Sequence, residues 1–374
     1  MNPADGCWQA GAYSRLAQFT EVFVDELDSL EDLRMLTKAY LDRNKHWSIT
    51  VNVIESLVNL RTYCRALMDA SENRFHYTWR SLYEAFCLSF LTELDASSYE
   101  TVKKMIFEYT VRKCSSIPDL KSLLSRCSVI SDSRCVAICG YQLVRGSAEV
   151  NVDSSYVLTD TVKRNLEDLC RVVSSRKYPV LLQGETSVGK TSLISYLANC
   201  TGNVCMRINN HQNTDIQDYV GSYVNNASGQ LVFVEGPLVK AMRNGHWIIL
   251  DELNLADSDV LESLNRVLDD NRELFIMETQ EVVKAHPNFQ IFATQNPPGL
   301  YGGRKSLSRA FRNRFVQMNF GELPYNEIET ILQMRCGLPL SYASKMVAVM
   351  RELQVRTKLL IDQVAACSQD EKDI

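Results

Sequence analysis

Val180-Leu181-Leu182-Gln183-Gly184-Glu185-Thr186-Ser187-Val188-Gly189-Lys190-Thr191 joins a short apolar run to the pattern GxxxxGK[ST]. An unalternated apolar run of this length suits a strand covered on both faces, as in a parallel sheet flanked by helices. The glycines after it let the backbone curl so that its N–H groups, and the start of the next helix, converge on one anion. Residues Gly184, Glu185, Thr186, Ser187, Val188 and Gly189 therefore read as a phosphate cradle, continued into Ser192. Lys190 is expected to reach the β/γ oxygens of a nucleotide, and the Thr191 hydroxyl to ligate Mg2+.

Working outward, three further apolar runs follow: Val204 to Ile208, Trp247 to Leu250 and Gln290 to Thr294. Open α/β sheets bind ligands beyond the carboxyl ends of their strands, so the residues after each run are the ones to inspect. The third run of the set delivers Asp251 and Glu252. Asp251 suits Mg2+, directly or through its water, and Glu252 suits the polarising of an attacking water. The fourth ends in Thr294-Gln295-Asn296, where the Asn296 amide could hold that water or sense the terminal phosphate. Asn44-Lys45-His46-Trp47 imitates a guanine-reading NKxD, but it lacks the Asp and lies far from these runs, so it is discounted.

Together with Arg207-Ile208-Asn209-Asn210-His211, Tyr219-Val220-Gly221-Ser222-Tyr223, Leu250-Asp251-Glu252-Leu253-Asn254-Leu255-Ala256 and Ala310-Phe311-Arg312-Asn313-Arg314-Phe315, these strings resemble the AAA+ ATPases, and within them the midasin family of dynein-like tandem rings. The resemblance covers roughly Tyr156 to Leu332. It implies a P-loop AAA+ core, a parallel sheet flanked by helices, with all-α lid segments. It also implies ATP and Mg2+ as cofactors, Asp251 and Glu252 as the Walker B pair, and Asn296 as sensor 1. Arg312 and Arg314 become arginine-finger residues acting on a neighbouring module. The implied partners are adjacent AAA+ modules of the same ring, pre-60S particles and their assembly factors. The implied location is the nucleus, in nucleolus and nucleoplasm. Two alternatives stand beside this reading: a nucleotide-gated structural module with little turnover, and a MoxR-type AAA+ chaperone.

The amino-terminal part reads as helices, Asp28 to Tyr40, Val53 to Asp69, Arg80 to Leu94 and Tyr99 to Val111. Asn2-Pro3, Phe19 and Glu26-Leu27 echo Asn296-Pro297, Phe315 and Glu322-Leu323, with the same interval from Phe to Leu. Residues 1–150 are accordingly expected to be the sensor-1 tail and helical lid of a preceding module, 151–323 an ATPase core, and 324–374 a partial lid and tail; the chain reads as a fragment. Leu60-Arg61-Thr62-Tyr63 resembles the family's sensor-2 helix, which assigns nucleotide binding to Arg61. In the repeat register Arg312 and Arg314 correspond to Leu16 and Gln18, so the preceding module lacks those fingers. The carboxyl-terminal counterpart of Arg61 falls near Arg356-Thr357, in flanks that do not reproduce that helix.

Composition narrows the rest. The chain has 374 residues, 45% hydrophobic and 23% charged, with a formal net charge of -5. That is globular composition, and the acidic balance argues against bulk polyanion binding or direct sequence-specific reading of nucleic acid. No signal peptide or membrane-spanning run is visible. The 12 cysteines include no CxxC pair, so reduced thiols are expected rather than a zinc site. Tyr83, Phe86, Phe90 and Leu94 recur at helical spacing and are expected to pack a lid. Gly229 to Gly236 and Lys284 to Gln290 look like hairpin segments, the first a substrate-contact segment by analogy with insertions in related AAA+ proteins.

Overall fold

The structure is a computed structural model and describes residues 83–84, 86–88, 91, 96–108, 134–176, 178–226, 229–269, 271–297 and 305–370. Arg61, the two helices expected before residue 70, Phe90 and Leu94, the amino-terminal half of the repeat, and Asn44 to Trp47 lie outside the described residues.

A five-stranded parallel sheet organises the core: β3 (Val180–Gly184), β4 (Cys205–Asn209), β7 (Trp247–Asp251), β10 (Gln290–Gln295) and β11 (Val316–Phe320), in the order β11-β3-β10-β7-β4. The four expected runs are four of these strands, with the second shifted to Cys205–Asn209. The fifth, β11, was not anticipated. Alternate residues explain why the central runs are apolar throughout. Val180, Leu182, Trp247, Ile249 and Phe292 enter one buried cluster, while Leu181, Ile248, Leu250, Ile291 and Ala293 enter another on the opposite face. The first face is covered by α2 (Asp160–Ser175) and α3 (Lys190–Thr201). The second is covered by α4 (Ile216–Val220), α5 (Pro237–Asn244), α6 (Ser258–Leu268) and α7 (Arg309–Arg312). A central strand with two dry faces cannot alternate in polarity.

Chain order and sheet order diverge at β3. From β3 the chain crosses to the far edge, steps back through β7 and β10 until it meets β3 again, and then places β11 on its other side. The β3/β10 crevice is thus a switch point, where ligands of open α/β sheets bind. Gly184 ends β3 because a Cβ there would meet the Phe320 carbonyl oxygen at 2.4 Å.

Among the described residues three antiparallel hairpins decorate the core. β1 (Cys135–Ile138) pairs with β2 (Tyr141–Val144), β5 (Gly221–Asn225) with β6 (Leu231–Glu235), and β8 (Glu273–Ile276) with β9 (Glu281–Lys284). The Gly229 to Gly236 expectation corresponds to β6. The Lys284 to Gln290 expectation is corrected: that segment connects β9 to β10, and the hairpin lies just before it.

Before the core, residues 83–84 and 86–88 are helical and α1 spans Ala96–Ile106. Both dock on α2 around Arg171, whose side chain is 2% exposed. Arg171 meets Glu84 at 2.8 Å and Glu167 at 3.3 Å, and also pairs with Asp168. Tyr99 Oη donates to Asp168 at 2.7 Å, Lys103 pairs with Glu167 at 2.9 Å and Tyr141 Oη donates to Glu84 at 2.7 Å. Tyr83 and Phe86 are buried, as their spacing predicts.

After the core come α8 (Tyr325–Cys336) and α9 (Leu340–Asp370), which pack on each other. Glu327 of α8 fastens this pair to the core. Thr161 donates to its carboxylate from the backbone N at 3.1 Å and from Oγ1 at 2.8 Å, and Thr159 Oγ1 donates as well. The carboxylate sits at the amino end of α2, where the helix dipole favours negative charge. Among the described residues no helix is long and apolar enough to cross a membrane, and no group of three His, Cys, Asp or Glu could hold a metal ion.

Candidate functional site

The site forms where β3, β7 and β10 end. Gly189 is the N-cap of α3, at φ +91°, with no side chain capping the first turn. A positive φ is natural for glycine, and the uncapped N–H groups of a 12-residue helix then face the cavity. Ser187, also at positive φ (+67°), completes the curl. Such a cradle fits phosphate oxygens: it offers aimed backbone donors, a helix amino end and one buried ammonium.

That ammonium is Lys190. Its Nζ donates to the carbonyls of Gly184 and Glu185, both at 2.7 Å, and to Asn296 Oδ1 at 2.8 Å. The lysine thus bridges the loop after β3 to the end of β10, across the switch point. Thr191 Oγ1 lies 3.3 and 3.4 Å from the two carboxylate oxygens of Asp251. An adjacent hydroxyl and carboxylate are the donor set that Mg2+ takes beside phosphate oxygens. Thr294 Oγ1 donates to Asp251 from β10, and Asn210 Nδ2 donates to the Asp251 backbone carbonyl at 2.8 Å.

Glu252 follows at φ +51°. A non-glycine residue there is uncommon, costing roughly 1–2 kcal/mol. The backbone is held: Glu252 N donates to Thr294 Oγ1 at 3.1 Å, and a 3-10 turn, Leu253–Leu255, starts immediately after. Glu252 lines the same cavity of about 620 Å³ as Lys190, Thr191, Asp251 and Asn296. Asn296 is fixed from behind as well, since Asn254 Nδ2 donates to its carbonyl at 3.0 Å.

The cavity continues away from these groups to residues that sequence reasoning missed. Tyr156 and Tyr196 stack with ring centroids 4.3 Å apart and an interplanar angle of 16°. Burial pushes both phenols up, Tyr196 to about 12, so they stay uncharged and present flat apolar surface. Asn199 and Ser195 lie beside them on α3, and Arg335 closes the mouth from α8. Arg335 faces Asp153, whose carboxyl is held below its ordinary range first by hydrogen bonds from Ser155 and then by this arginine. Arg356, which the repeat register sets near the counterpart of Arg61 but in flanks that do not reproduce the sensor-2 helix, is exposed and pairs with Glu352 at 2.8 Å on its own helix. Arg207, on β4, pairs with Asp251. Arg207 opens one of the strings that carry the family resemblance, but only the register that brings β4 beside β7 shows its partner.

The structure brings Gly184 to Ser192, Asp251, Glu252 and Asn296 together. It keeps Arg312 and Arg314 apart from them. Arg314 Nε donates to Asp269 at 2.7 Å and its Nη1 to the Ala310 carbonyl at 3.0 Å, while Arg312 Nε is buried with no hydrogen-bond partner among the described residues. Neither lines this cavity.

Comparison with known proteins agrees with the geometry. Residues 179–315 match the AAA domain of the dynein-related subfamily, and residues 54–113 match the midasin AAA lid domain. Midasin of Dictyostelium discoideum is 43% identical over 366 residues, covering 90% of this chain and 6% of that protein. Midasin of Giardia intestinalis is 35% identical over 387 residues, covering 90% of this chain and 8% of that protein. An uncharacterized protein of Staphylococcus aureus is 34% identical over 158 residues, covering 41% of this chain and 59% of that one. The chain therefore spans under a tenth of the length of either midasin.

Proposed function

The chain belongs to the dynein-related AAA proteins and is midasin-like along nearly its whole length, and from that premise we propose that it is an ATP-binding and ATP-hydrolysing remodelling module within a ring of tandem AAA+ modules. The observation that carries the reading is the convergence of Lys190, Thr191, Asp251, Glu252 and Asn296 on one cavity at the sheet's switch point. A bound Mg2+ would neutralise phosphate charge and orient the terminal phosphate. The protein's own groups do the rest. The loop and the start of α3 would hold the phosphates, Lys190 would turn from the loop carbonyls towards them, and Thr191 and Asp251 would hold the metal. Glu252, aimed by its left-handed backbone, orients and deprotonates water, and the Asn296 amide fixes that water's position.

The lid match at 54–113 precedes the core match at 179–315, which supports a lid from one module followed by the core of the next. The contacts of Arg171 with Glu84, Asp168 and Glu167 then make the joint between them. Release or repositioning of assembly factors on pre-60S particles in the nucleus is part of the proposal, supported by likeness to midasin. The distance of Arg312 and Arg314 from the cavity fits this proposal, in which they act on a neighbouring module, and equally a second reading, a site that binds ATP to hold ring geometry without turnover. Bound nucleotide and released phosphate, followed together in a single-turnover experiment, separate the two. The proposal expects binding followed by release; ATP retained intact would favour the structural reading, and no binding would overturn both.

A further inference from the structure

Asp251 has more suitors than it has oxygens. Thr191 and Thr294 donate to its carboxylate, and the Arg207 guanidinium takes Oδ2 through Nη2. The Asp251 side chain is only 12% exposed, so its charge is compensated by Arg207, the one cation paired with it among the described residues; the Arg207 side chain is 53% exposed and hangs on a long stem from β4. In chain register Arg207 lies opposite Ile249, two pairs before Asn209 and Asp251, and its side chain reaches the cavity wall. The cavity wall carries three cationic residues, Lys190, Arg207 and Arg335, against three acidic ones, Asp153, Asp251 and Glu252.

That balance cannot persist once a nucleotide and its divalent cation arrive. A divalent cation held by Thr191 and Asp251 would compete for the carboxylate that Arg207 pairs with, and a compact doubly charged ion would displace a half-hydrated guanidinium there. Arg207 then needs a new anion. The stacked tyrosines mark one end of the cavity and Lys190, Glu252 and Asn296 the other, so the anion within reach of the Asp251 end is the terminal phosphate. A guanidinium suits it, since its planar fork matches two phosphate oxygens.

We propose that Arg207 exchanges Asp251 for the terminal phosphate and thereby sets the preference of this site for ATP over ADP. The proposal rests on the nucleotide-site reading above. With ADP the Arg207 pair to Asp251 is lost and nothing replaces it; with ATP it is replaced. This is a positioning and discriminating role supplied within the chain, separate from any arginine of a neighbouring module.

The test is calorimetric titration of the intact chain with a non-hydrolysable ATP analogue and with ADP, both with Mg2+. Wild type, Arg207→Ala and Arg207→Lys are compared, each checked for an unchanged melting profile. The expected result for Arg207→Ala is an ATP-analogue affinity lower by about 10- to 100-fold, the range for a charge-assisted hydrogen bond, with ADP affinity unchanged or slightly tighter. Arg207→Lys, which keeps the charge and loses the fork, should fall between. Equal loss for both nucleotides would mean that Arg207 only holds Asp251 in place, and no loss for either would mean that it stays away from the phosphate; both results overturn the proposal. If the wild-type chain binds neither nucleotide, the underlying site reading has failed instead.

Discussion

Lys190 Nζ donates to Asn296 Oδ1 at 2.8 Å, joining two residues 106 positions apart in sequence, one at the start of α3 and the other just after β10. The contact fixes what Asn296 can do. Its amide oxygen is engaged with the phosphate-binding lysine, which leaves its NH2 to meet water or a phosphate oxygen. Asn296→Ala should therefore leave ATP affinity within about threefold, because Lys190 can still turn to the phosphates without it, while turnover falls about 10- to 100-fold through misplacement of the water. Steady-state kinetics beside a binding titration would check this; a larger effect on binding than on turnover would contradict it.

Glu252→Gln keeps the side chain's shape and removes its charge. Turnover should drop by about 10² to 10⁴ while nucleotide still binds. Retention of the parental rate in a phosphate-release assay would remove Glu252 from the role of base.

Arg171 makes a stability prediction that is independent of nucleotide. Removing it by Arg171→Met strands Glu84 and Asp168 around a site where Arg171 is 2% exposed, and breaking a buried pair from one side costs about 3–5 kcal/mol. Denaturant unfolding should show that loss. Replacing Glu84 and Arg171 together by apolar residues of matching size should recover part of it. A loss below ~1 kcal/mol for the single variant would mean that the helical segment before the core is not held there.

How much of this was legible before the structure depends on where each residue sits in the sheet. The central strands were readable because both their faces are dry, so Trp247-Ile248-Ile249-Leu250 shows no polar break. The edge strand Val316–Phe320 escaped because it alternates, with Gln317 half-buried and Asn319 exposed between Met318 and Phe320. The chemistry at strand ends was readable for the same reason as the strands: Asp251, Glu252 and Asn296 follow apolar runs directly. Arg207 and the Tyr156 and Tyr196 stack were not, because their significance comes from neighbours 40 or more positions away. The lid arginine was sought near Arg356 by repeat register. The long helix α9 instead leaves that residue facing solvent, and Arg335 on α8 occupies the cavity mouth.

Arg314 bears on the trans arrangement. It is engaged with Asp269 and remote from the cavity, so in the proposed ring it would act on another module's site. Arg314→Ala, in a longer stretch of the same polypeptide carrying both neighbouring modules, should leave the Lys190 site nearly untouched and slow only the upstream site. An arginine finger supplies about 10³ to 10⁵ in rate, so the 374-residue chain should hydrolyse ATP at a small fraction of the longer protein's rate. Fast hydrolysis independent of protein concentration would contradict this. A steep rise with concentration would show copies lending Arg314 to one another.

The central claim is that the loop and Lys190 form a nucleotide site, and calorimetric titration of Mg2+-ATP into wild type and Lys190→Ala tests it most directly. Loss of the ammonium should weaken binding by at least ~2 kcal/mol, about 30-fold, as for a charged hydrogen bond left unmade. Equal affinity in the two proteins, or no binding by the wild-type chain, would contradict the account.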